Sequence, residues 1–569
     1  MITILKKIVD KLQNKKENNL IILFSELLSF LLILKTNIFR PTINETLISI
    51  LNKVWLFLFF LGCIYFILKV AKFLLQNIFI IKKDNSEYSK KEYKKLIIIF
   101  FLLFFLFLNQ EIVIYITNNF GTLNAEQIIF NLFGEKKGIA EEQKVLIIFG
   151  PILQFILLMS LSSFYLFYNF IIEYKNKIIL NRKKFINYML IILTILWGVG
   201  FVKFANTVKI LDVMKQVLIS SKFIEKNYVY EDEIIVPQEK RNLIHIYVES
   251  MESSFMDQTN GGLLEENLIP NLTNIAKENS NEQFKGAIQT AGGGWTIAGH
   301  INSELGLPLK TYIGGNEYGS NGKFLPNANS LGKILDQNEY QQIYIAGSDL
   351  EFAGTKTFLK NHGNYEVHDL NYYKSIGKIP HDYNINWGFE DSLMFDFAKE
   401  ELLKIDKNKP FNLTLRTANS HFPDGYLEEN GEQKFQTQYE NVIYHTDKQI
   451  NDFIKWIEKQ DFYENTTIVI QGDHISMNSE ILKEVNDNDR RVYFTVINPI
   501  KQINYDREYS MLDFYPTILE SLGFDIVNDK LGLGTSLLSN QKNLIEDYDH
   551  KNLNEKLNNF SEFYIDLMK

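Results

Sequence analysis

Three short stretches of this chain carry side chains suited to holding a phosphate or a metal ion. The first is Ala291-Gly-Gly-Gly-Trp295-Thr296-Ile-Ala-Gly-His300. Its glycines free the backbone for close approach to a ligand, and the apolar residues after Thr296 begin a helical pattern. A threonine oxygen at that point lies among unpaired helix N–H donors, where an anion is electrostatically welcome. The second stretch, Gly472-Asp473-His474, closes an apolar run. A carboxylate beside an imidazole suits a divalent ion such as Mn2+ or Zn2+, and Gly472 lets the chain turn. The third is Glu249, at the end of another apolar run, a candidate third ligand. Thr296 Oγ completes a set of four, in which a metal lowers the hydroxyl's pKa and neutralises phosphate charge. Each piece alone has a bland reading as a turn, a solvated strand end or a cap; only their convergence makes a site.

Convergence requires a scaffold, and the pattern after residue 242 supplies one. Short β-rich runs at 243–248, 342–346, 411–415, 467–470 and 492–497 alternate with helix-period segments, as in an α/β fold around a largely parallel sheet. Ile450, Phe453, Ile454 and Ile457 form a stripe that should pack on that sheet. Gly347-Ser-Asp349, Thr417 and His421 also follow strand ends, where open α/β sheets bind ligands. His421 before Phe-Pro reads either as a loop cap or as a ligand-side group. Asp447, on the helix before the last parallel strand, reads as a brace. The tail after Ser539 is polar, with Leu557, Phe560 and Phe563 spaced to anchor a last helix.

The N-terminal part is of another kind. Five stretches, 20–39, 50–75, 96–116, 145–172 and 185–204, approach the length of about 20 apolar residues that a helix needs to cross a bilayer. Glu26, Gln110 and Glu111 lie within them, as packing groups or as pathway markers. Lysine and arginine crowd the N-terminus, residues 82–95 and residues 175–184, whereas 118–144 is glutamate-rich. The positive-inside rule then puts 118–144, and everything after 204, outside the cytoplasm. No small-residue cleavage site follows the first apolar run, so it reads as an anchor. The expected organisation is a transmembrane helical domain at 1–204, a juxtamembrane helix and linker at 205–241, and an outer domain at 242–569. One cysteine, Cys63, excludes an internal disulfide framework and a cysteine-rich zinc site. A net charge of -9 without a long basic block in the C-terminal half argues against nucleic acid as a partner.

Val248-Glu-Ser250, Gly294-Trp-Thr-Ile-Ala-Gly299, Trp387-Gly-Phe-Glu-Asp391, His421-Phe-Pro423 and Gly472-Asp-His474 resemble, in order and spacing, the sulfatase-fold branch of lipoteichoic acid synthases and phosphoglycerol transferases. The stretches 294–309, 352–363 and 473–491 resemble the phosphoglycerol transferases more closely. The resemblance implies an enzyme with Thr296 as nucleophile and Glu249, Thr296, Asp473 and His474 around one divalent metal, Mn2+ before Mg2+ or Zn2+. It implies that His421 contacts phosphate or protonates a leaving oxygen. It also implies a multi-pass protein of the bacterial inner membrane, its sulfatase-like domain facing the periplasm or cell exterior. The reaction would move phosphoglycerol from phosphatidylglycerol in the bilayer to a glycan or glycolipid acceptor, such as a periplasmic glucan, through a phosphoglycerol-threonine intermediate. In the synthase pattern a histidine, a tryptophan and an arginine after the second strand grip the phosphoglycerol. This chain has Gly347, Phe352 and Lys356 there, which leaves Lys356 or Lys360 to supply charge and Trp295 to pack either on the donor or in the core. Rival readings are a polymerising lipoteichoic acid synthase, a phosphoethanolamine transferase, and a non-catalytic membrane sensor with a polyanion-binding outer domain. A sulfatase would need Cys or Ser where Thr296 stands.

Overall fold

The computed structural model describes residues 80–83, 88–120, 126–127, 129–130, 170–211, 214, 219–230 and 234–569, less short gaps at 281–283, 313–317, 320, 386, 479–480 and 484. The expected spans 20–39 and 50–75, with Glu26, and nearly all of 145–172 lie outside the described residues. The rest divides into two compact units, one drawn from 1–115 and 139–207, the other from 116–138 and 208–569.

In the first unit, helices Lys90–Phe120 and Arg182–Thr207 contain the expected spans 96–116 and 185–204, and both are long and apolar enough to cross a membrane. Phe101, Ile191, Ile195, Val199 and Val202 point outward, which suits lipid rather than water. The two N-terminal halves pack through Leu96, Ile99 and Leu103 against Ile186 and Leu193, so the helices run the same way. Each follows a strand of one small sheet, in which β1 (Ile80–Lys83), β2 (Phe170–Tyr174) and β3 (Lys177–Asn181) pair antiparallel. Residues 170–172 therefore belong to a strand, not to the end of a span. Hydropathy alone extended the span through Phe170-Ile-Ile172, but these residues feed a tight hairpin whose Lys175 and Asn176 both take positive φ, the two-residue turn that strand twist favours.

The second unit is built on a six-stranded sheet. Its strands are β5 (Asn242–Val248), β6 (Gln341–Ala346), β7 (Glu366–His368), β8 (Phe411–Arg416), β9 (Thr466–Gly472) and β10 (Phe494–Ile497). Their order is β10-β9-β5-β8-β6-β7, parallel except for β10. Both faces are covered, as a continuous apolar strand demands. Ile244, Ile246 and Val248 enter one core with Ile450, Phe453, Ile454 and Ile457 of helix Gln438–Ile457. Tyr247 and Tyr344 face the other side, where helix Thr296–Leu305 lies. The expected strand at 492–497 begins only at Phe494, because Val492 turns aside to bridge Glu252 and Ala287.

Asp447 is a brace. Buried on helix Gln438–Ile457, it accepts bonds from the backbone N–H of Asn271 (3.1 Å) and Leu272 (2.7 Å), and from Asn271 Nδ2 (2.7 Å), at the start of helix Pro270–Ser280. A proline opens that helix and the carboxylate satisfies its orphan donors. Asp447→Ala strands three donors in the core and is expected to cost about 2–4 kcal/mol. Urea unfolding with an unchanged slope is the check.

Residues 223–241 are laid onto the same unit. β4 (Ile234–Ile235) pairs with β11 (Asp525–Ile526), and Val229 exchanges backbone bonds with Gly532. Residues of the glutamate-rich 118–144 segment also belong here. Phe130 is buried against Trp295 and Tyr318, and Thr311 donates to the Glu126 carbonyl at 2.8 Å. The tail closes the unit with helices His550–Asn558 and Glu562–Met568, burying Leu557 and part of Phe560 and Phe563.

Candidate active site

Glu249 follows β5 directly, so it emerges at the carboxyl end of the sheet beside β9, whose own end delivers Asp473 and His474. Ligating atoms of Glu249, Asp473 and His474 all lie within 4.8 Å of one another, and all three side chains are buried. Asp473 Oδ1 accepts the N–H of Ser250 (2.8 Å) and of His474 (2.9 Å), which fixes the carboxylate plane. Ser250 takes positive φ to make that bond possible, a strained backbone held by its surroundings. Asp473 Oδ2 has no hydrogen-bond partner. Glu249 Oε1 accepts Ser250 Oγ (2.8 Å) and faces His474 Nε2 (3.3 Å). His474 Nδ1–H donates to the Ile475 carbonyl (2.8 Å), which leaves Nε2 turned to the carboxylates. The backbone of Glu249 is itself tied down, its N–H donating to Thr417 Oγ1 and its carbonyl accepting Ser420 Oγ.

Thr296 is the first residue of its helix and the one residue of that helix that is not buried. Its Oγ1 donates to Glu249 Oε2 at 3.3 Å. The helix is seated by contact rather than by a cap. Gly299 lies so close to the Asp473 carbonyl that a Cβ there would stand 1.8 Å from the oxygen. Gly299→Ala is therefore expected to push helix Thr296–Leu305 off the Asp473 loop at a cost of about 2–4 kcal/mol. A thermal melt lowered by several degrees, with transfer activity lost even below the transition, is the expected pair of results. Gly292 and Gly293 let the chain pack closely against Leu309 and the Asn302 side chain.

Electrostatics at the site follow from two buried carboxylates sharing one imidazole. Burial and Glu249 push Asp473 up to about 7. Burial also raises Glu249, but His421 and then His474 outweigh it and hold the carboxyl low. For His474 burial disfavours the charge, yet Asp473 and Glu249 prevail and lift it to about 10. This excess of negative charge, with Asp473 Oδ2 accepting no hydrogen bond and facing only the shared His474 imidazole at 3.5 Å, fits a divalent cation, and the oxygen and nitrogen donors are those such an ion takes.

His421 lies half-buried after β8, its Nδ1 donating to the Phe422 carbonyl at 2.8 Å, so that Nε2 is the free end. Its ring sits 4.3 Å from that of Trp387, and Trp387 sits 6.1 Å from Phe352. Trp295, by contrast, is 6% exposed and turned into the core against Phe130. Lys356 directs its amine to Glu351 (3.5 Å) and Asp369 (3.8 Å), and Lys360 is exposed. Sequence reading passed over Ser250 and Ser420, whose short polar side chains position Glu249 through contacts that only the fold creates. It also passed over Arg416, the last residue of β8, whose guanidinium bonds Ser348 Oγ.

A parallel sheet with helices on both faces, and a hydroxyl, two carboxylates and two imidazoles at its carboxyl ends, defines an α/β domain of the sulfatase-like class. Residues 241–524 match the Sulfatase family, and this part of the chain is a sulfatase-family domain. Among curated relatives, phosphoglycerol transferase I of Escherichia coli is 32% identical over 325 residues, 55% of this chain and 41% of that protein. The chain thus spans about two fifths of the length of the curated relatives it matches. Similar solved structures include the lipoteichoic acid synthase LtaP from Listeria monocytogenes (19% identity, 56% of this chain and 80% of that one, TM-score 0.44). Another is the Streptococcus pyogenes phosphoglycerol transferase GacH in complex with sn-glycerol-1-phosphate (13% identity, 61% and 91%, TM-score 0.38).

Proposed function

We propose that this protein is a membrane-anchored phosphoglycerol transferase that takes its donor group from phosphatidylglycerol and passes it to a glycan or glycolipid hydroxyl outside the cytoplasm. The observation that carries the reading is Thr296 Oγ1 at an open helix N-terminus, 3.3 Å from a glutamate that shares a buried cluster with Asp473 and His474. Glu249, Asp473, His474 and Thr296 would hold a divalent ion, Mn2+ being the favoured choice. When bound, such an ion lowers the pKa of the threonine hydroxyl and screens phosphate charge.

In the first step Thr296 Oγ1 attacks phosphorus and the P–O bond to diacylglycerol breaks. The hydroxyl proton leaves toward the Glu249 carboxylate it already faces, and His421, entering the step as imidazolium, gives its Nε2 proton to the departing diacylglycerol oxygen. An acceptor hydroxyl then attacks the same phosphorus, the P–O bond to Thr296 breaks, His421 takes the acceptor's proton and Thr296 recovers its own. The N–H groups opening helix Thr296–Leu305 receive the negative charge that builds on the nonbridging oxygens. Two apolar helices in the other unit support a membrane setting, which concentrates a lipid donor near the site. Their common direction is the one the lysine distribution requires of these two helices.

The test is mass spectrometry of the purified full chain incubated with phosphatidylglycerol, Mn2+ and no acceptor. The expected product is a phosphoglycerol adduct on Thr296 and an equal amount of diacylglycerol. An ethanolamine-bearing adduct from mixed lipids would instead favour phosphoethanolamine transfer. No adduct with any phospholipid would sink the enzymatic reading.

A further inference from the structure

The site as described has a nucleophile, a candidate cation cluster and a proton carrier, but no side chain assigned to grip the donor's phosphate from the protein side. Lys356 is engaged by two carboxylates. We propose, on the basis of the phosphotransferase reading above, that Arg416 is the cationic arm that holds a nonbridging oxygen of the substrate phosphodiester.

Arg416 pairs with Tyr247 on one side and Ala346 on the other, so its side chain stands on the sheet face those residues share. On that face the Tyr247 ring stacks on His300 at 3.8 Å, and His300 is four residues, one helical turn, beyond Thr296. Arg416 therefore flanks the opening turn of the nucleophile helix. Its charge is felt there, lowering the basicity of both His300 and His421, although burial is the larger cause for each.

Its bonding state points the same way. Arg182, Arg490, Arg491 and Arg507 each hold a glutamate. Arg416 pairs with no carboxylate among the described residues, and its one hydrogen bond there is to Ser348 Oγ. A half-buried guanidinium with most of its five donors unused, beside a hydroxyl nucleophile, is matched in geometry and charge to a phosphate.

The neighbouring backbone explains why the arm comes from β8 and not from the end of β6. Gly347 and Gly388 lie against each other: the Gly347 carbonyl accepts the N–H of Phe389 at 3.0 Å, and Ser348 bridges Gly388. A Cβ at Gly347 would stand 2.2 Å from the Phe389 carbonyl, and one at Gly388 would stand 1.9 Å from the Gly347 carbonyl. No side chain fits at the position after β6, and the closed junction sets Trp387 over His421 instead. Arg416 reaches the vacated side.

Arg416→Gln and Arg416→Lys test this in the Mn2+-loaded full chain, with sn-glycerol 1-phosphate as a binding probe and bis(p-nitrophenyl) phosphate as a second substrate. For Arg416→Gln, probe affinity should fall about 10- to 100-fold and KM for the diester should rise likewise, with Mn2+ affinity and melting temperature kept. Arg416→Lys, which keeps the charge but loses the fork, should fall between it and the parent protein. Probe affinity and KM equal to the parent in either variant would overturn the proposal. If the parent protein cleaves the synthetic diester but leaves phosphatidylglycerol untouched, the donor assignment fails while the role of Arg416 stands or falls on its own variants.

Discussion

Thr296→Ala is expected to abolish adduct formation and lower transfer at least about 10^3-fold while leaving the protein folded. The size of the effect follows from its position. Thr296 is the half-buried first residue of an otherwise buried helix, and its hydroxyl makes one bond, to Glu249. Removing Oγ takes nothing from the packing of Ile297, Ala298 and Ile301, so the melting temperature should move little. What disappears is the atom that, in the proposed mechanism, makes and breaks the bond to phosphorus. Thr296→Ser should keep the adduct at a reduced rate, since a serine oxygen can occupy the same place without the methyl group that limits its rotation. A Thr296→Ala protein with more than a few per cent of the parent rate would show that another group performs the attack.

Asp473→Asn should be nearly as damaging by a different route. Oδ1 accepts two backbone N–H groups, and an asparagine carbonyl can take over both bonds. That orientation forces the NH2 group into the place of Oδ2, the oxygen that accepts no hydrogen bond and faces His474 Nε2 at 3.5 Å. A donor then points where a cation should sit. Divalent-ion affinity measured by calorimetry is expected to drop at least about 100-fold, with turnover falling in parallel. Because Oδ1 keeps both backbone bonds and only the 3.5 Å pairing of Oδ2 with His474 Nε2 is lost, the metal-free variant should remain folded, with a melting temperature modestly below that of metal-free parent protein. Unaltered Mn2+ binding would remove Asp473 from the coordination sphere, and with it the reason for placing the cation there.

What could be read from the residues before folding was whatever depends on local order. Strand runs at 243–248, 342–346, 411–415 and 467–470 come within one or two residues of the observed strands, because short apolar, β-rich runs between turns have few other uses. Glu249, Asp473 and His474 were legible because each sits immediately after such a run, and Thr296 because glycines precede it and a helix follows. β7 was not legible, since three residues at a sheet edge carry no periodic signal. Arg416 escaped notice for a related reason: in the chain it is one more residue of a strand, and only the pairing of β8 with β5 and β6 brings it beside helix Thr296–Leu305. Lys356 was a reasonable candidate by spacing, but spacing says nothing about Asp369, which the following helix brings to it. Phe170-Ile-Ile172 was misread because an apolar run of that composition serves a hairpin as readily as a span.

Phe130 has an implication for how the second unit could be released by proteolysis. It precedes helix Arg182–Thr207 in the chain, yet it covers the Trp295 ring in the same compact unit as the nucleophile. A protease cutting just beyond residue 207 would free a fragment amputated of that cover, leaving a raw apolar gap one residue from Thr296. Release by a single cut would thus leave that face bare, whereas freeing the unit with residues 116–138 still docked takes three cuts, near residues 115, 138 and 207, where the chain passes between the two units.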